Sequence, residues 1–591
     1  MEYFFPFRGF AHNNIIIFVV AEKQITSYIK KHMLRASSSL RPALASLEDA
    51  LAGHSRVRAF ISGACVAAAG YYGFRLLKPG FLVKRFLQSI FAIVRTLAAS
   101  LVDKEVAKAA KDITFKQLPN EVITEEIPAH GMKAAAVVAL AHQLHDELDC
   151  THETGELSGT VYHGGREHTK FINDIMNIYQ WTNPLHLDVH NAVRKMEAEI
   201  VEMVVRLFHG NTHRASACGA LTSGGTESIG MAVKAYREWG REMKCITEPN
   251  IVMPITAHPA FDKAGRYYNV QIIKVPVDWR TGRVDPREME KYINVNTVAL
   301  VGSAPNFPYG AVDPIADIGQ LAVRYGLGLH VDACLGGFLV QFMGRANPLW
   351  EQYVDFRVEG VTSISCDTHK FGYAPKGTSV IMYASKELRR YQFFATADWP
   401  GGLYASPGAS GSKAGNVIAG TWAALMCIGM DGYVRACHDV ITTAHQMRDG
   451  VNDIPELYIL GEPVVSAVSF TSSTLDIYIL SDRLKKKGWK LNPLQFPSGI
   501  QFSLTLVHTR NGIMDRFLRE VRDVTMAMIA ERDQLILDGG KPLAIGDQGG
   551  TMYGSQQRIA DRSIVEKVTH AFLEGYYRTR HVQPSETKGQ S

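Results

Sequence analysis

Short apolar runs alternate with longer stretches of helical spacing between residues 171 and 430. The runs predicted as strands are 271–275, 297–301, 329–332 and 361–364. The stretch 315–325 is predicted as one of the helices between them. Apolar strands that alternate with helices are typical of a mostly parallel sheet that is buried on both faces. The pattern therefore predicts an α/β domain over 171–430 with a ligand site at the strand ends.

The pattern changes from residue 431 onward. A long helical stretch at 433–451 is followed by runs at 464–470, 477–487 and 501–508. These runs predict a smaller α/β domain over 431–580. The last residues, 581–591, are polar and are predicted to be a disordered tail.

Residues 1–110 differ from the rest of the chain. The segment 59–77 is free of acidic residues and nearly free of charge, with basic residues on both sides, and it approaches the roughly 20 residues that a bilayer requires. It is predicted as a membrane anchor, and a buried helix of a soluble domain is the alternative. An apolar and basic stretch at 81–102 suits a membrane surface. The acid-free segment 33–46 leaves an organellar transit segment open.

Composition and charge make some classes of function and of site less favoured. Of 591 residues, 63 are basic and 58 acidic, and the resulting net charge of +5 does not favour nucleic-acid binding. The eight cysteines form no CxxC pair, which favours a reducing, cytosolic setting for the folded part. The group His142, His145, Cys150 and His152 matches no standard zinc spacing, so no metal site is predicted.

The most informative stretch is Ser-Ile-Ser-Cys-Asp-Thr-His-Lys, which ends at Lys370 directly after a predicted strand. A lysine forms an imine with a carbonyl compound when burial or a neighbouring cation lowers its pKa. His369 and Lys376 are predicted to be such cations. The stretch therefore indicates a nucleophilic lysine.

Three further features precede it in an order typical of one α/β domain. Ser223, Gly224, Gly225 and Thr226 form a glycine-rich turn that opens a predicted helix, and its free N–H groups suit a phosphate dianion. No Gly-Lys-Ser/Thr follows, so a nucleotide triphosphate is disfavoured. His258 follows a strand and is suited to stacking on a flat ring. Asp332 ends another strand, where its carboxylate can keep a pyridine nitrogen protonated.

Seven further segments, within residues 120–575, carry a family resemblance. They are Ser158-Gly-Thr-Val-Tyr162, Asn183-Pro-Leu-His186-Leu-Asp188, Arg194-Lys-Met-Glu-Ala-Glu199, Phe307-Pro-Tyr-Gly310, Asp313-Pro314, Tyr391-Gln-Phe-Phe394 and Asp398-Trp399. Together with the lysine stretch, they resemble the fold-type I pyridoxal phosphate enzymes of the group II decarboxylase superfamily, and within it the sphingosine-1-phosphate lyase family. The resemblance implies a transferase-like large domain with a mostly parallel, seven-stranded sheet.

The resemblance also implies residue roles at a pyridoxal 5'-phosphate site. Lys370 would carry the cofactor covalently, Asp332 would pair with its ring nitrogen, and His258 would stack on the ring. The residues implied to approach the cofactor phosphate are Ser223, Gly224, Gly225, Thr226 and His369.

A second phosphate, that of the substrate, would meet Lys376, Tyr162 and His186, and Tyr373 would lie near the reacting carbons. Tyr162 belongs to an N-terminal segment, 111–170, that is expected to contribute to the site. The implied reaction is a retro-aldol cleavage of sphingosine 1-phosphate or its dihydro form to a long-chain aldehyde and phosphoethanolamine. The base is Tyr373, His186 or Lys370, and the sequence does not choose between them.

The resemblance further implies a homodimer with shared sites and a single-pass anchor in the endoplasmic reticulum membrane, with the catalytic part in the cytosol. Two alternatives remain. An amino-acid decarboxylase of the same superfamily would use the same cofactor residues. A non-catalytic membrane scaffold is hinted at by two departures from the family pattern, at His190-Asn191 and at Lys413-Ala414.

Overall fold

The computed structural model describes residues 125–539, apart from 187, 348, 349 and 351, and residues 562–577. The predicted anchor at 59–77, the stretches 33–46 and 81–102, and the tail 581–591 lie outside the described residues. The chain forms two units, one of residues 133–560 and one of residues 1–132 with 561–591. In the second unit, the structure describes one helix, Arg562–Tyr576. The first unit contains both multi-stranded sheets of the described chain, those of seven and of four strands.

Four helices open this unit: α1 Ala134–Leu148, α2 Arg166–Ile178, α3 Asn191–Leu207 and α4 Gly210–His213. The strands of the large domain are β1 Cys218–Thr222, β2 Asn250–Pro254, β3 Gln271–Val275, β4 Val277–Asp278, β5 Arg283–Val284, β6 Thr297–Ser303, β7 Gly328–Asp332, β8 Ser363–Cys366 and β9 Ser379–Tyr383. Its helices are α5 Gly225–Lys244, α6 Ala260–Tyr268, α7 Pro286–Glu290, α8 Ile315–Tyr325, α9 Gly337–Val340, α10 Met343–Ala346 and α11 Lys386–Arg389. A 3-10 turn, Arg390–Gln392, and a ribbon of β10 Phe394–Thr396 and β11 Tyr404–Ser406 follow.

The large sheet has seven strands in the order β1, β9, β8, β7, β6, β2, β3. Only β9 runs antiparallel to its neighbours, so the predicted mostly parallel seven-stranded sheet is confirmed. Along β2, Val252 belongs to the core on one face, and Ile251 and Met253 belong to the core on the other. Burial on both faces explains why the strands are apolar throughout.

The strand predicted at 361–364 lies two residues further on, at Ser363–Cys366. Val361 is buried but forms a turn, in which its N–H donates to the carbonyl oxygen of Val358. Ser363 and Ser365 continue the strand because buried His330 hydrogen-bonds both hydroxyls, at 2.7 Å and 3.1 Å. A paired polar side chain is tolerated in a core where an unpaired one is not.

The small domain begins within a long helix, α12 Gly415–Asn452. It continues with β12 Tyr458–Leu460, β13 Ala467–Thr471, α13 Ile477–Lys486, β14 Asn492–Leu494, β15 Gly499–Ser503, a 3-10 turn Leu506–Thr509 and α14 Ile513–Leu537. Its four strands form an antiparallel sheet in the order β12, β13, β15, β14. α13 starts at a cap, because the Asp476 carboxylate accepts hydrogen bonds from the N–H groups of Tyr478 and Ile479.

Helix α12 starts earlier than the stretch 433–451 that the pattern predicts. It bends at Gly429, whose φ of 62° is non-helical. The helix packs Ile418 and Ile441 into the core of the large domain and Met447 into the core of the small domain. In the part of the chain that the structure describes, it is also the one helix long and apolar enough to cross a membrane, and 44% of its most apolar window is buried. Its contacts are those of a core helix that joins two domains.

His330 makes the stability of the fold dependent on pH. Burial lowers the pKa of His330 from 6.5 to about 4. Between those pH values, His330 binds a proton in the unfolded chain but not in the folded chain. The free energy of unfolding therefore falls as the pH drops from 6.5 towards 4. We expect His330→Gln to remove about 1.4 kcal/mol per pH unit from this slope.

Urea unfolding of wild type and variant between pH 7.5 and 4.5 measures the two slopes. The variant is also expected to lose about 1–3 kcal/mol at pH 7.5, because the serine hydroxyls lose their partner. His438→Gln, which makes the same substitution at an exposed histidine of α12, is the control for the change of residue type. Equal slopes for His330→Gln and wild type would contradict the assignment.

Candidate active site

The site lies where three neighbouring strands of the large sheet end. Ser303 of β6, Asp332 of β7 and Ser365 of β8 stand side by side in the register of the parallel strands. The chain beyond each strand stays paired: the Ala304 N–H donates to the Asp332 carbonyl oxygen at 2.8 Å, and the Ala333 N–H to that of Ser365 at 2.9 Å. The carboxyl ends of the strands thus form one rigid edge.

A cavity of about 250 Å³ opens at this edge. It brings together four residues that the sequence predicts, Lys370, Asp332, His258 and Tyr162. Its other lining residues come from the N-terminal segment, the large domain and the small domain: Ser158, Gly159, Thr256, Ser303, Pro305, Asn306, Phe307, Cys334, Leu335, Asn492 and Ser503. The segment 111–170 supplies Ser158, Gly159 and Tyr162 to this lining.

Lys370 follows β8 in a turn and faces a carboxylate that the sequence analysis missed. Its Nζ lies 2.8 Å from Oδ2 of Asp367, which is 2% exposed. Burial alone would lower the pKa of Lys370, but the charge of Asp367, its hydrogen bond to Lys370 and smaller contributions from Cys334 and Tyr162 together raise the net pKa above its ordinary value. The expected lowering by cationic neighbours is therefore wrong in this structure. Asp367 holds Lys370 as an ammonium.

Asp332 and His258 are held in fixed orientations. Asp332 is 7% exposed, and its Oδ1 accepts hydrogen bonds from the Cys334 N–H at 3.0 Å and the Ser365 hydroxyl at 3.4 Å. Nδ1 of His258 accepts from the Ala260 N–H at 3.0 Å, so this nitrogen carries no proton in that bond. Both side chains meet the cavity from strand ends, where the sequence predicts them.

The glycine-rich turn lies against the lysine turn. A Cβ on Gly225 would come within 2.8 Å of Asp367 Oδ1 and of Cys334 Sγ, so only glycine fits there. A Cβ on Gly224 would lie 3.9 Å from the His369 ring. His369 donates from Nδ1 to the Thr378 carbonyl oxygen at 2.5 Å, and burial lowers its pKa.

Ser223 and Thr226 are exposed on the outer side of this turn. The N–H and hydroxyl of Ser223 donate to the Glu227 carboxylate at 2.8 Å and 2.6 Å. Ser223 and Glu227 line a neighbouring cavity of about 190 Å³ and not the one that contains Lys370. Ser223 therefore contacts the first turn of α5.

Lys376 and Tyr162 form a second predicted group. Nζ of Lys376 lies 4.8 Å from the centre of the Tyr162 ring, a cation–π contact. Desolvation lowers the pKa of Lys376, and the positive charge of Lys370 lowers it further. Among the described residues, no carboxylate forms an ion pair with Lys376. Lys376 is thus an exposed cation without an ion pair to any carboxylate in the described part of the chain.

Tyr373 and His186 lie outside the cavity lining. The Tyr373 ring stacks on Tyr433 at 6.1 Å, and its buried hydroxyl has no hydrogen-bond partner in the described part of the chain. Tyr373 also has a φ of 57°, an uncommon value for a side chain of this size. His186 is exposed, and the centre of its ring lies 6.3 Å from that of His190.

Three buried polar atoms near the cavity have no partner among the described residues: Thr256 Oγ1, Ser303 Oγ and Asp367 Oδ1. Sequence reasoning missed all three, although Thr256 and Ser303 come at strand ends. Buried groups without partners are costly unless a ligand completes them. A flat heteroaromatic ring with hydroxyl, nitrogen and phosphate groups suits this set, which also offers an imine-forming lysine and an acid for a ring nitrogen. The residues therefore fit pyridoxal phosphate.

The comparisons with known proteins point the same way. Residues 150–473 match the pyridoxal-dependent decarboxylase conserved domain. The sphingosine-1-phosphate lyase of Drosophila melanogaster is 44% identical over 81% of this chain and 86% of its own length. That of Saccharomyces cerevisiae is 38% identical over 82% of each. The chain belongs to the sphingosine-1-phosphate lyase family.

Solved structures agree with this membership. A sphingosine-1-phosphate lyase of Burkholderia pseudomallei is 38% identical, with a TM-score of 0.67 over 70% of this chain and 96% of that chain. A glutamate decarboxylase of Lactobacillus brevis, 19% identical, has a TM-score of 0.61 and shares the fold. Members of the lyase family are pyridoxal phosphate enzymes, and the cofactor prediction is confirmed.

Both departures from the lyase family pattern are accommodated locally. The Lys413 ammonium forms an ion pair with Glu197 of α3, and both side chains are less than 20% exposed. His190 lies before α3, and its Nδ1 lies 3.1 Å from the Asn183 N–H and 2.9 Å from its carbonyl oxygen. Neither departure belongs to the lining of the Lys370 cavity, but Lys413 and Ala414 line the neighbouring cavity with Ser223.

The ion pair between Asp367 and Lys370 predicts how readily the lysine reacts. We expect Asp367→Asn to lower the pKa of Lys370, because burial then acts without the opposing charge. The variant, freed of cofactor, should form a covalent adduct with pyridoxal at a pH at least one unit lower than wild type does. Borohydride trapping followed by peptide mass analysis measures the adduct at Lys370.

Asp355→Asn is the matched control, because Asp355 is another fully buried, ion-paired carboxylate, bound to Arg357. It should leave the pH profile of trapping unchanged. An unchanged profile in Asp367→Asn as well would mean that Asp367 has only a structural role.

Proposed function

We propose that this enzyme cleaves phosphorylated sphingoid bases, such as sphingosine 1-phosphate and its dihydro form, to a long-chain aldehyde and phosphoethanolamine. The observation that carries the proposal is the unneutralised Lys376, packed on Tyr162 beside the cavity that contains Lys370 and Asp332. A lysine without a carboxylate partner favours an anion, and a phosphate monoester suits it as a point charge.

Each residue then has a role that its surroundings support. Lys370 binds the cofactor, Asp332 holds a proton on the ring nitrogen, and His258 stacks on the ring. The turn at Gly224 and Gly225, with His369, receives the cofactor phosphate. When bound, pyridoxal phosphate supplies a carbonyl for an amine and a ring that accepts the electron pair of the broken bond.

The cleaved bond joins the carbon that bears the amine to the carbon that bears the hydroxyl. A base must take the hydroxyl proton as this bond breaks, and a proton must return to the amine-bearing carbon before the product leaves. Of the three candidate bases, Lys370 alone lines the cavity, and it can act as the base once it has lost the proton that Asp367 stabilises. Tyr373 is packed on Tyr433, and His186 is exposed, so either would need to move or to act from another subunit.

The decarboxylase alternative is less well supported. An amino-acid substrate presents a carboxylate on the carbon that carries the amine, and this group requires a cation or several donors close by. Among the described residues that line the cavity, Lys370 is the one lysine, and none is an arginine. The wall contributed by the small domain is neutral, with Asn492 and Ser503, as suits a substrate whose reacting carbon carries a hydroxyl.

We further propose a homodimer anchored in the endoplasmic reticulum membrane with its catalytic part in the cytosol. Helix α1 has no buried residue, and Val137, Val138 and Leu140 are more than 40% exposed on it, which suits a second copy of the chain. The apolar segment 59–77 supports the anchor, and the substrate is itself a membrane lipid. Sedimentation of the detergent-solubilised full chain tests the dimer, and cell fractionation with protease protection tests the location.

Product analysis tests the activity directly. Purified protein with pyridoxal phosphate and a phosphorylated sphingoid base should release aldehyde and phosphoethanolamine in equal amounts, and Lys370→Ala should release neither. Carbon dioxide from a panel of amino acids, with no aldehyde from the lipid, would establish the decarboxylase instead. Cofactor absorbance with no product from any of them would support the scaffold.

The role of Lys376 is tested by ligands with and without phosphate. We expect Lys376→Met to raise KM for the phosphorylated base at least tenfold, because a charge-assisted hydrogen bond contributes about 1.5–3 kcal/mol. The inhibition constant of the unphosphorylated base, a competitive inhibitor, should change by less than twofold. Lys263→Met, which removes an exposed lysine over the ring of Tyr267, is the control and should leave both constants unchanged. Equal losses for both ligands in Lys376→Met would assign Lys376 a structural role.

A further inference from the structure

The wall of the cavity opposite the large domain contains a buried polar network. Its side chains are Ser158 of the N-terminal segment and Asn492, Gln501 and Ser503 of the small domain. Asn492 and Gln501 face each other across the antiparallel pair β14 and β15. Ser158, Asn492 and Ser503 also line the cavity that contains Lys370.

The direction of the hydrogen bonds in this network is fixed from one end. Gln501 is fully buried, and its amide nitrogen lies 2.9 Å from the carbonyl oxygen of Phe307. A carbonyl oxygen only accepts, so Nε2 of Gln501 must point there. Its Oε1 therefore points back into the network, where it accepts from Nδ2 of Asn492 at 2.7 Å and from the Ser503 hydroxyl at 3.1 Å.

This order fixes the orientation of Asn492. Nδ2 donates one hydrogen to Gln501 and the other to Ser158 Oγ at 2.8 Å, so both of its hydrogens are used inside the wall. Ser158 Oγ is itself fixed, because it also accepts from the Ser503 N–H at 2.8 Å. The Asn492 side chain lines the cavity, and the polar atom left to face it is the amide oxygen Oδ1, which only accepts.

We propose that Asn492 accepts a hydrogen bond from the substrate hydroxyl and thereby selects 2-amino-3-hydroxy substrates. The inference rests on the proposed function. A phosphorylated amino alcohol offers three polar groups, and its amine is directed to the cofactor at Lys370. Its phosphate is an anion that accepts hydrogen bonds, so the hydroxyl is the donor that matches Oδ1.

The role is one of positioning a reacting group. An amide oxygen is too weak a base to remove the hydroxyl proton, so Asn492 orients the hydroxyl while a titratable group takes the proton. The network connects this orientation to all three parts of the chain that build the cavity. A substrate without the hydroxyl leaves Oδ1 facing it without a partner, which disfavours its binding.

The test compares a phosphorylated sphingoid base with its 3-deoxy analogue, which the enzyme cannot cleave. For Asn492→Ala we expect kcat/KM for the base to fall at least tenfold, while the inhibition constant of the analogue stays within twofold. Asn306→Ala is the matched control, because Asn306 lines the same cavity but both ends of its amide bind backbone groups. It should affect the base and the analogue equally.

Asn492→Asp keeps an acceptor of the same shape and loses the two donors, so it should keep the preference for the hydroxyl even if it is less stable. Equal losses for base and analogue in Asn492→Ala, or wild-type behaviour, would overturn the proposal. If wild type releases no aldehyde, absorbance titration of the bound cofactor still reports whether the base binds more tightly than the analogue and whether Asn492→Ala abolishes that difference. The proposed function and the role of Asn492 can therefore fail separately.

Discussion

The pairing of β6, β7 and β8 through their last residues is the constraint on which the site depends. Parallel strands hold their carboxyl ends level, and the register continues beyond the strands through the N–H groups of Ala304 and Ala333. Asp332 and Lys370 come from different turns, and a slip of one residue in either strand would turn the side chains to the other face. Buried His330 opposes such a slip, because it hydrogen-bonds two serines of β8 that share a face.

A second feature is the balance of charge around Lys370. The carboxylate of Asp367 is almost fully buried and lies between the ammonium of Lys370 and the amino end of α5, at Gly225. The lysine that must react as a free amine is thus held as a cation, and weakening of its ion pair with Asp367 would favour the free amine. The reactivity of a buried lysine therefore depends on the group with which it is paired.

The sequence predicts the sheet and the residues at its ends well, because strand ends in α/β proteins carry the ligand groups. Asp332, His258 and Lys370 are found in this way. Asp367 was missed, because a carboxylate three residues before a lysine resembles a turn residue until the turn is folded. Asn492 was missed for a different reason, because it belongs to the small domain. Its orientation depends on Gln501, Ser158 and the Phe307 carbonyl, which only the fold brings together.

The wall opposite Lys370 distinguishes the lyase reaction from the decarboxylase reaction, which uses the same cofactor. A decarboxylase must bind the carboxylate it removes, and that requires positive charge or several donors at this wall. Here backbone hydrogen bonds, such as that from the Gly159 N–H to the Ser503 carbonyl oxygen, connect the wall to the N-terminal segment. The side chains of the wall are neutral. Gly159 has a φ of 62°, and a Cβ there would lie 2.8 Å from the Ser503 side chain, so the segment approaches as closely as it does because this residue is glycine. With the acceptor of Asn492 as its exposed polar atom, such a wall favours a hydroxyl over a carboxylate, and the bond that breaks is then the one between the carbons bearing the amine and the hydroxyl.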